Sequence, residues 1–368
     1  MTTNRLQTAV FLGALALAAW PALTPTPKSA FDLEAFGRLP VLEGGRIKPL
    51  DSFARNSLLV IRSKQSVAMD GQRISAVRWL LDAAFKPEAA DTYPAFVLDD
   101  PEVLGLLGLE QGKGRYFAYW QIEPKREEIQ KQAAAADQKP SGGRSRFDSA
   151  VLNLEHRLML YERIKNTFMI SGEEDPARNL ASFADFLPGA MNALHSGKSS
   201  KKEQATMKAL AEMLQRYAFL AQFAAFKALP PKAGEPDEAW TNTGESLSRP
   251  NGGLDLHPSV SAFASMGSAY RRGDASAFNA ALAGHADWLA ENRPASARMA
   301  RVEALFNKSQ PFISGIALYI TALLLVFAAW ATRREDAAAA ARAVAWAAFL
   351  VHTFGLVART LLQGRPPV

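Results

Sequence analysis

Cysteine is absent from the 368 residues. Its absence excludes disulfides, thiolate metal sites, a thiol nucleophile and covalent attachment of haem to this chain. It does not fix the compartment, because a chain of this length buries a core large enough to need no cross-links. A nucleotide loop is also missing: the glycine-rich stretches lack the Lys-Ser/Thr that would hold phosphate and magnesium. His156, His195, His257 and His285 show neither H-x3-H nor H-E-x2-H spacing. They read as surface or hydrogen-bonded histidines rather than ligands. Carboxylate pairs such as Glu173-Glu174 read as solvated, and no catalytic constellation emerges from the middle of the chain.

Charge of one sign is modestly in excess: the net charge is +6 and the pI about 9.4. The basic residues are interleaved with acids, as in Lys125-Arg126-Glu127-Glu128, and the densest run, Lys198 to Lys202, has no aromatics. The pattern is that of a solvated surface, and no nucleic acid is expected as a partner.

Long apolar runs, by contrast, are present and confined to the two ends. The first, at residues 8–23 after Arg5, has the core AVFLGALALAAW and then meets Pro21. It is shorter than the roughly 20 residues of a span and fits a signal peptide or an N-terminal membrane anchor over residues 1–24. Without a clean A-x-A site, an uncleaved anchor is the preferred reading. The second, 312–332, carries no charge, follows Pro311 and ends at Arg333-Arg334, as a transmembrane helix should. The third, 343–362, is interrupted by His352 and Arg359 and completes a transmembrane hairpin. Arg333, Arg334 and Arg342 mark the 333–342 connection as a cytoplasmic loop. Residues 25–311 and the tail 363–368 are then extracytoplasmic.

The expected fold is mainly α: a soluble helical extracytoplasmic domain between the N-terminal segment and the C-terminal transmembrane hairpin. Its first part is 25–229. Gly44-Gly45 and Pro49 mark a turn before a helix capped by Asp51 or Ser52. Val77 to Phe85 reads as a short apolar helix, and Phe96-Val97-Leu98 as a strand running into a helix capped at Asp99-Asp100-Pro101. The polar stretch 125–146 reads as a frayed helix and loop. Val151, Leu154, Leu158, Tyr161, Ile164 and Phe168 keep helical spacing. A further helix covers 205–229. Residues 230–253, rich in Pro, Gly, Asn and Ser, read as a linker. A helical part, 254–311, leads into the membrane.

His352 sits near the middle of the third apolar run, where an ionisable group is costly and usually functional. Arg359, seven residues on, falls on nearly the same helix face, about 10 Å along the axis, with Gly355 between them. Two readings follow from the residues themselves. In one, His352 hydrogen-bonds a neighbouring helix while Arg359 reaches outward. In the other, a neutral imidazole ligates a metal or haem iron and the guanidinium neutralises a propionate.

The final segment, His352-Thr-Phe-Gly355-Leu356-Val-Ala-Arg359 with Gly364-Arg365-Pro366-Pro367, resembles the H-x-x-G-L-x-x-R and G-R-x-P pattern of System II cytochrome c biogenesis proteins. The likeness is to the CcsA/ResC-like type, in its long form with an extracytoplasmic domain. LPVLEGGRIKPLDSFA at 39–54 and VEALFNKSQPF at 302–312 resemble that form's opening and pre-membrane signatures. The resemblance implies a component of the machinery that delivers haem to exported apocytochrome c, placed in the bacterial inner membrane with its large domain in the periplasm. It implies His352 as haem and metal ligand, Arg359 as a second cofactor-binding residue, and haem as cofactor. The family handles haem with a tryptophan-rich segment, whereas the seven Trp here are scattered. A polytopic membrane partner is therefore expected to supply the remaining haem-handling helices, with apocytochrome c as the second partner. The alternative is a membrane-anchored periplasmic scaffold without haem; an exported hydrolase with an unrecognised site is a further rival.

Overall fold

A computed structural model describes residues 3–25, 29–110, 114–196, 201–232, 234–248 and 256–364. The tail motif from Arg365, most of the basic run at 198–202 and the side chain of His195 lie outside the described residues. The chain is mainly helical and divides into two compact units: residues 1–28 with 298–368, and residues 29–297.

In chain order the elements are helix α1 (Thr3–Leu23), α2 (Leu33–Gly37), strands β1 (Pro40–Glu43) and β2 (Arg46–Pro49), α3 (Leu50–Arg62), β3 (Ser66–Met69), β4 (Gln72–Ser75), α4 (Ala76–Phe85), α5 (Pro87–Ala90), β5 (Phe96–Val97), α6 (Pro101–Leu107), β6 (Tyr116–Phe117) and α7 (Tyr119–Ile122). Helices α8 (Arg126–Asp137), α9 (Arg146–Lys165), α10 (Pro176–Ser196), α11 (Lys201–Phe223), α12 (Thr243–Ser248), α13 (Pro258–Arg272), α14 (Ala275–Asn292), α15 (Pro294–Ser309), α16 (Pro311–Thr332) and α17 (Glu335–Gln363) complete it.

Among the described residues the 29–297 unit is a helical body trimmed with three antiparallel two-stranded sheets, of which β1–β2 and β3–β4 are hairpins and β5–β6 is joined through α6. Gly44 and Gly45 both have positive φ, 60° and 74°, the combination that a two-residue turn between twisted strands requires. Strand β5 and helix α6 form as expected, with Asp100 accepting from the Glu102 and Val103 amides at the helix start. The spaced apolar residues of α9 are buried: Val151, Leu158, Tyr161 and Ile164 are each fully enclosed.

Three expectations change in this unit. Helix α3 starts at Leu50, with Pro49 at the cap position and no side-chain cap; Asp51 lies in its first turn and pairs with Arg55 at 2.8 Å. Residues 126–137 are no frayed segment, because Ile129, Ala133 and Ala136 recur on one face and are buried against α9. The 230–253 stretch is integral to the unit as far as it is described. Leu229 pairs with Thr241, Trp240 is 2% exposed, and α12 lies against α11. Its Pro and Gly punctuate turns within a packed segment rather than free a tether.

In the other unit, α1, α16 and α17 are each long and apolar enough to cross a membrane. They share a centre of Ala14 and Ala18 from α1, Leu318 and Ala322 from α16, and Val344, Ala347 and Ala348 from α17. The five alanines among them let the backbones approach closely, the usual basis of helix association in lipid. Leu17, Leu324, Phe327, Trp330 and Leu361 point away from the bundle. These features mark the chain as membrane-associated. Helix α1 runs two residues past Pro21. The expected 333–342 loop is only Arg333 and Arg334, for helix α17 already starts at Glu335. Glu335 and Asp336 complement the positive end of its dipole, and the alanine run that follows has the highest helix propensity.

Candidate functional site

The sequence places His352, Gly355 and Arg359 on one face of α17; the structure shows what that face meets. Helix α16 offers Phe312, Gly315 and Tyr319, a stripe with the same three-plus-four spacing and a glycine in the same place. The two stripes run antiparallel along the seam. The His352 ring takes edge contacts from Phe312, centroids 6.1 Å apart at 83°, and from Tyr319, 6.0 Å at 81°. A Cβ on Gly315 would lie 3.9 Å from the His352 Cβ, so the glycine seats the histidine backbone close to α16. A Cβ on Gly355 would come within 3.1 Å of the Phe312 ring, which therefore occupies the space a larger residue would take. The Arg359 guanidinium carbon lies 6.0 Å from the centroid of the same ring.

Gly355 is buried in the seam, while His352 and Arg359 are exposed beyond this chain. Among the described residues neither makes a hydrogen bond or an ion pair. The result is an imidazole fixed in orientation by two aromatic edges, with unused ring nitrogen, and a cation about two helical turns away on the same face. A neutral imidazole so held can donate a lone pair to iron, and Arg359 can meet a carboxylate. The residues present fit one side of a haem site. Among the described residues no group of three or more His, Asp or Glu could hold a metal ion on protein ligands alone. Sequence reasoning found the α17 stripe and missed its α16 counterpart, although the repeated spacing around a glycine was there to be read.

The other histidines are accounted for differently. His156 is exposed on α9. His257 starts α13 with both ring nitrogens used: Nδ1 accepts the Ser259 amide at 3.1 Å and Nε2 lies 2.8 Å from the Pro230 carbonyl. His285 is buried against Phe263 and Trp288, and its Nδ1 has no partner among the described residues. A groove of 280 Å³ lined by residues that include Asp99, Asp100, Ser149 and Arg157 places no histidine beside its serine, so it holds no serine–histidine pair.

Burial, and secondarily the proximity of His257, lowers the His285 pKa from 6.5 to about 4. The folded state therefore resists a proton that the unfolded chain accepts. Stability is unaffected by this group above pH 6.5, falls as the pH drops through the window down to about 4, and is penalised by roughly 3 kcal/mol below it. His285→Leu should flatten that fall. Urea midpoints of the purified protein and the variant, measured from pH 7 to pH 4, check this; parallel curves would refute it.

No known family model matches this chain, and no curated protein matches it either. The fold and site define a class only: a membrane-associated, mainly helical protein with a histidine–arginine stripe on one of its apolar helices.

Proposed function

We propose that this chain is the membrane component of a cytochrome c assembly system, handling haem for attachment to exported apocytochrome c. His352 would ligate the haem iron and Arg359 would pair with a propionate. The single observation that carries the reading is the His352 imidazole, seated between Phe312 and Tyr319, exposed on an apolar helix and without a hydrogen-bond partner among the described residues. In lipid such a group requires a partner. The sequence resemblance of the 352–368 segment supplies the identity of that partner as haem.

A polytopic membrane protein covers the open side of the stripe and brings the remaining haem-handling helices. The membrane is the bacterial inner membrane, with residues 25–311 on the periplasmic side, supported by Arg333 and Arg334 at the short connection. The bound haem supplies the vinyl groups to be joined to apocytochrome thiols. Of this chain's residues, His352, held between Phe312 and Tyr319, would hold the iron, and Arg359 would neutralise a propionate carboxylate.

The test is the absorbance of detergent-solubilised membranes in which the partner is co-expressed. His352→Ala is expected to abolish the haem spectrum or reduce it at least tenfold. Arg359→Ala should weaken retention less, because the axial bond remains after one charge contact is lost. His156→Ala, His195→Ala and His285→Ala should retain the full spectrum. An unchanged spectrum in His352→Ala would end the haem reading and favour an anchored scaffold whose His352 merely packs the hairpin.

A further inference from the structure

Helix α15 ends at Ser309, and α16 begins at Pro311. The residue between them, Gln310, has φ 48° and ψ 50°, so the helical path breaks there. The Phe306 and Phe312 rings meet edge to face, centroids 6.3 Å apart at 80°. In one continuous helix, residues six apart are separated by about 9 Å of rise and about 120° of rotation, and their rings would not meet. The chain therefore changes direction at Gln310, and Phe306 of α15 packs against Phe312 at the start of the apolar helix α16.

Met299, Val302 and Leu305 are 44%, 50% and 55% exposed. Together with Phe306 they recur at intervals of three and four residues along one face of α15. Ala300, to one side of that face, and Glu303, at its edge one turn on from Met299, are buried. Arg298 is exposed beside Met299. A run of large apolar side chains left open on one helix face asks for a cover.

We propose that the Met299–Val302–Leu305 face of α15 lies in the boundary between headgroups and acyl chains of the phospholipid bilayer. The helix is then an interfacial strut at the foot of the first hairpin helix. Lipid is the occupant that the geometry favours, because this face is continuous through Phe306 with Phe312, where the span begins. Arg298 at its edge meets anionic headgroups, as basic residues do on helices lying in a membrane surface. The inference rests on α16 crossing the bilayer and is independent of haem.

Because the chain has no cysteine, single probes can be placed without altering anything else. The full-length protein carrying Met299→Cys, Val302→Cys or Leu305→Cys is labelled with an environment-sensitive fluorophore. It is reconstituted into phosphatidylcholine–phosphatidylglycerol vesicles, some containing lipid spin-labelled near the headgroup. All three positions should be quenched by the shallow spin label to a similar extent and shielded from aqueous iodide. A helix standing off along the α16 axis would place residue 299 about 9 Å farther from the bilayer than residue 305. Quenching that falls away from 305 to 299, or free access of iodide to all three, overturns the proposal. So does shielding that appears only when a co-purified membrane partner is present, which would make this a protein interface. Leu324→Cys on α16, 62% exposed, reports separately through deep spin labels whether the span itself is in the bilayer.

Discussion

Asp82→Ala should destabilise the protein by about 3–5 kcal/mol, read as a large drop in the urea midpoint with an unchanged slope. The carboxylate is 1% exposed in the middle of α4. It accepts from the Tyr270 hydroxyl of α13, from the Tyr93 hydroxyl at 2.9 Å and from the Arg78 Nε at 2.9 Å one turn earlier. Burial first, and the adjacent Asp82 second, push both tyrosines well above their ordinary pKa, so each remains a donor at any physiological pH. Removing the carboxylate strands the buried Tyr270 hydroxyl, at about 1–3 kcal/mol, and the half-buried Tyr93 hydroxyl, which water can partly satisfy. It also leaves Arg78 without its ion pair, although Arg78 is partly exposed and recovers some solvation. Tyr270→Phe removes one donor and leaves Asp82 two others, so it should cost only about 1 kcal/mol. The contrast between the two variants is the signature of a shared acceptor. A loss for Asp82→Ala no greater than for Tyr270→Phe would show that the network does not hold α4 to α13.

That carboxylate illustrates where the sequence is legible and where it is not. RWLLDAAF declares a short apolar helix at once, and the helix is there. An acid in the middle of such a run is a sign of a buried polar contact, but its partner is 188 residues away, and no local pattern names Tyr270. The apolar helices at the chain ends were readable because composition alone carries their meaning in lipid. Helix α9 was readable because five apolar residues, from Val151 to Ile164, hold one period; Phe168, the sixth of the series, lies past the helix end at Lys165. Helix α8 was not: a single stripe of Ile129, Ala133 and Ala136 among charged residues is too thin to stand out until α9 covers it. The second hairpin turn, Asp70-Gly71 with φ 51° and 75°, carried the Asp-Gly signal of a tight turn that was there to be read. At the candidate site, His352 and Arg359 were visible as ionisable residues in an apolar run. Phe312 and Gly315 were harder to see, because aromatic and small residues are ordinary in such helices and only their repeated spacing singles them out.

The segment 230–253 shows the same limit most sharply, and it yields the other large expected effect. Its Pro, Gly and Asn content suggests a tether, yet α12 within it crosses α11 with the two backbones in contact. A Cβ on Gly244 would lie 2.1 Å from the Ala221 nitrogen, 2.5 Å from the Tyr217 carbonyl oxygen and 2.6 Å from the Leu220 carbonyl carbon. These are backbone atoms and cannot rotate away as a side chain would. The approach is pinned on either side: the Asn242 amide donates to the Ala221 carbonyl at 3.1 Å, and Asn242 and Glu245 cap each other's backbone at 3.1 Å and 2.8 Å. Gly244→Ala must therefore either distort α11 or lift α12 off it. The cost should reach or exceed the upper end of overpacking, about 3 kcal/mol, although only one methyl is added. Lifting α12 would also release Trp240, 2% exposed, and shift its fluorescence to the red. Gly105→Ala is the control. It lies within α6 with nothing near its would-be Cβ, and should be neutral or stabilising by up to about 1 kcal/mol on helix propensity. Opposite signs for one chemical change at two glycines would establish the α11–α12 crossing as a fixed part of the fold, and equal effects would return 230–253 to the role of a linker.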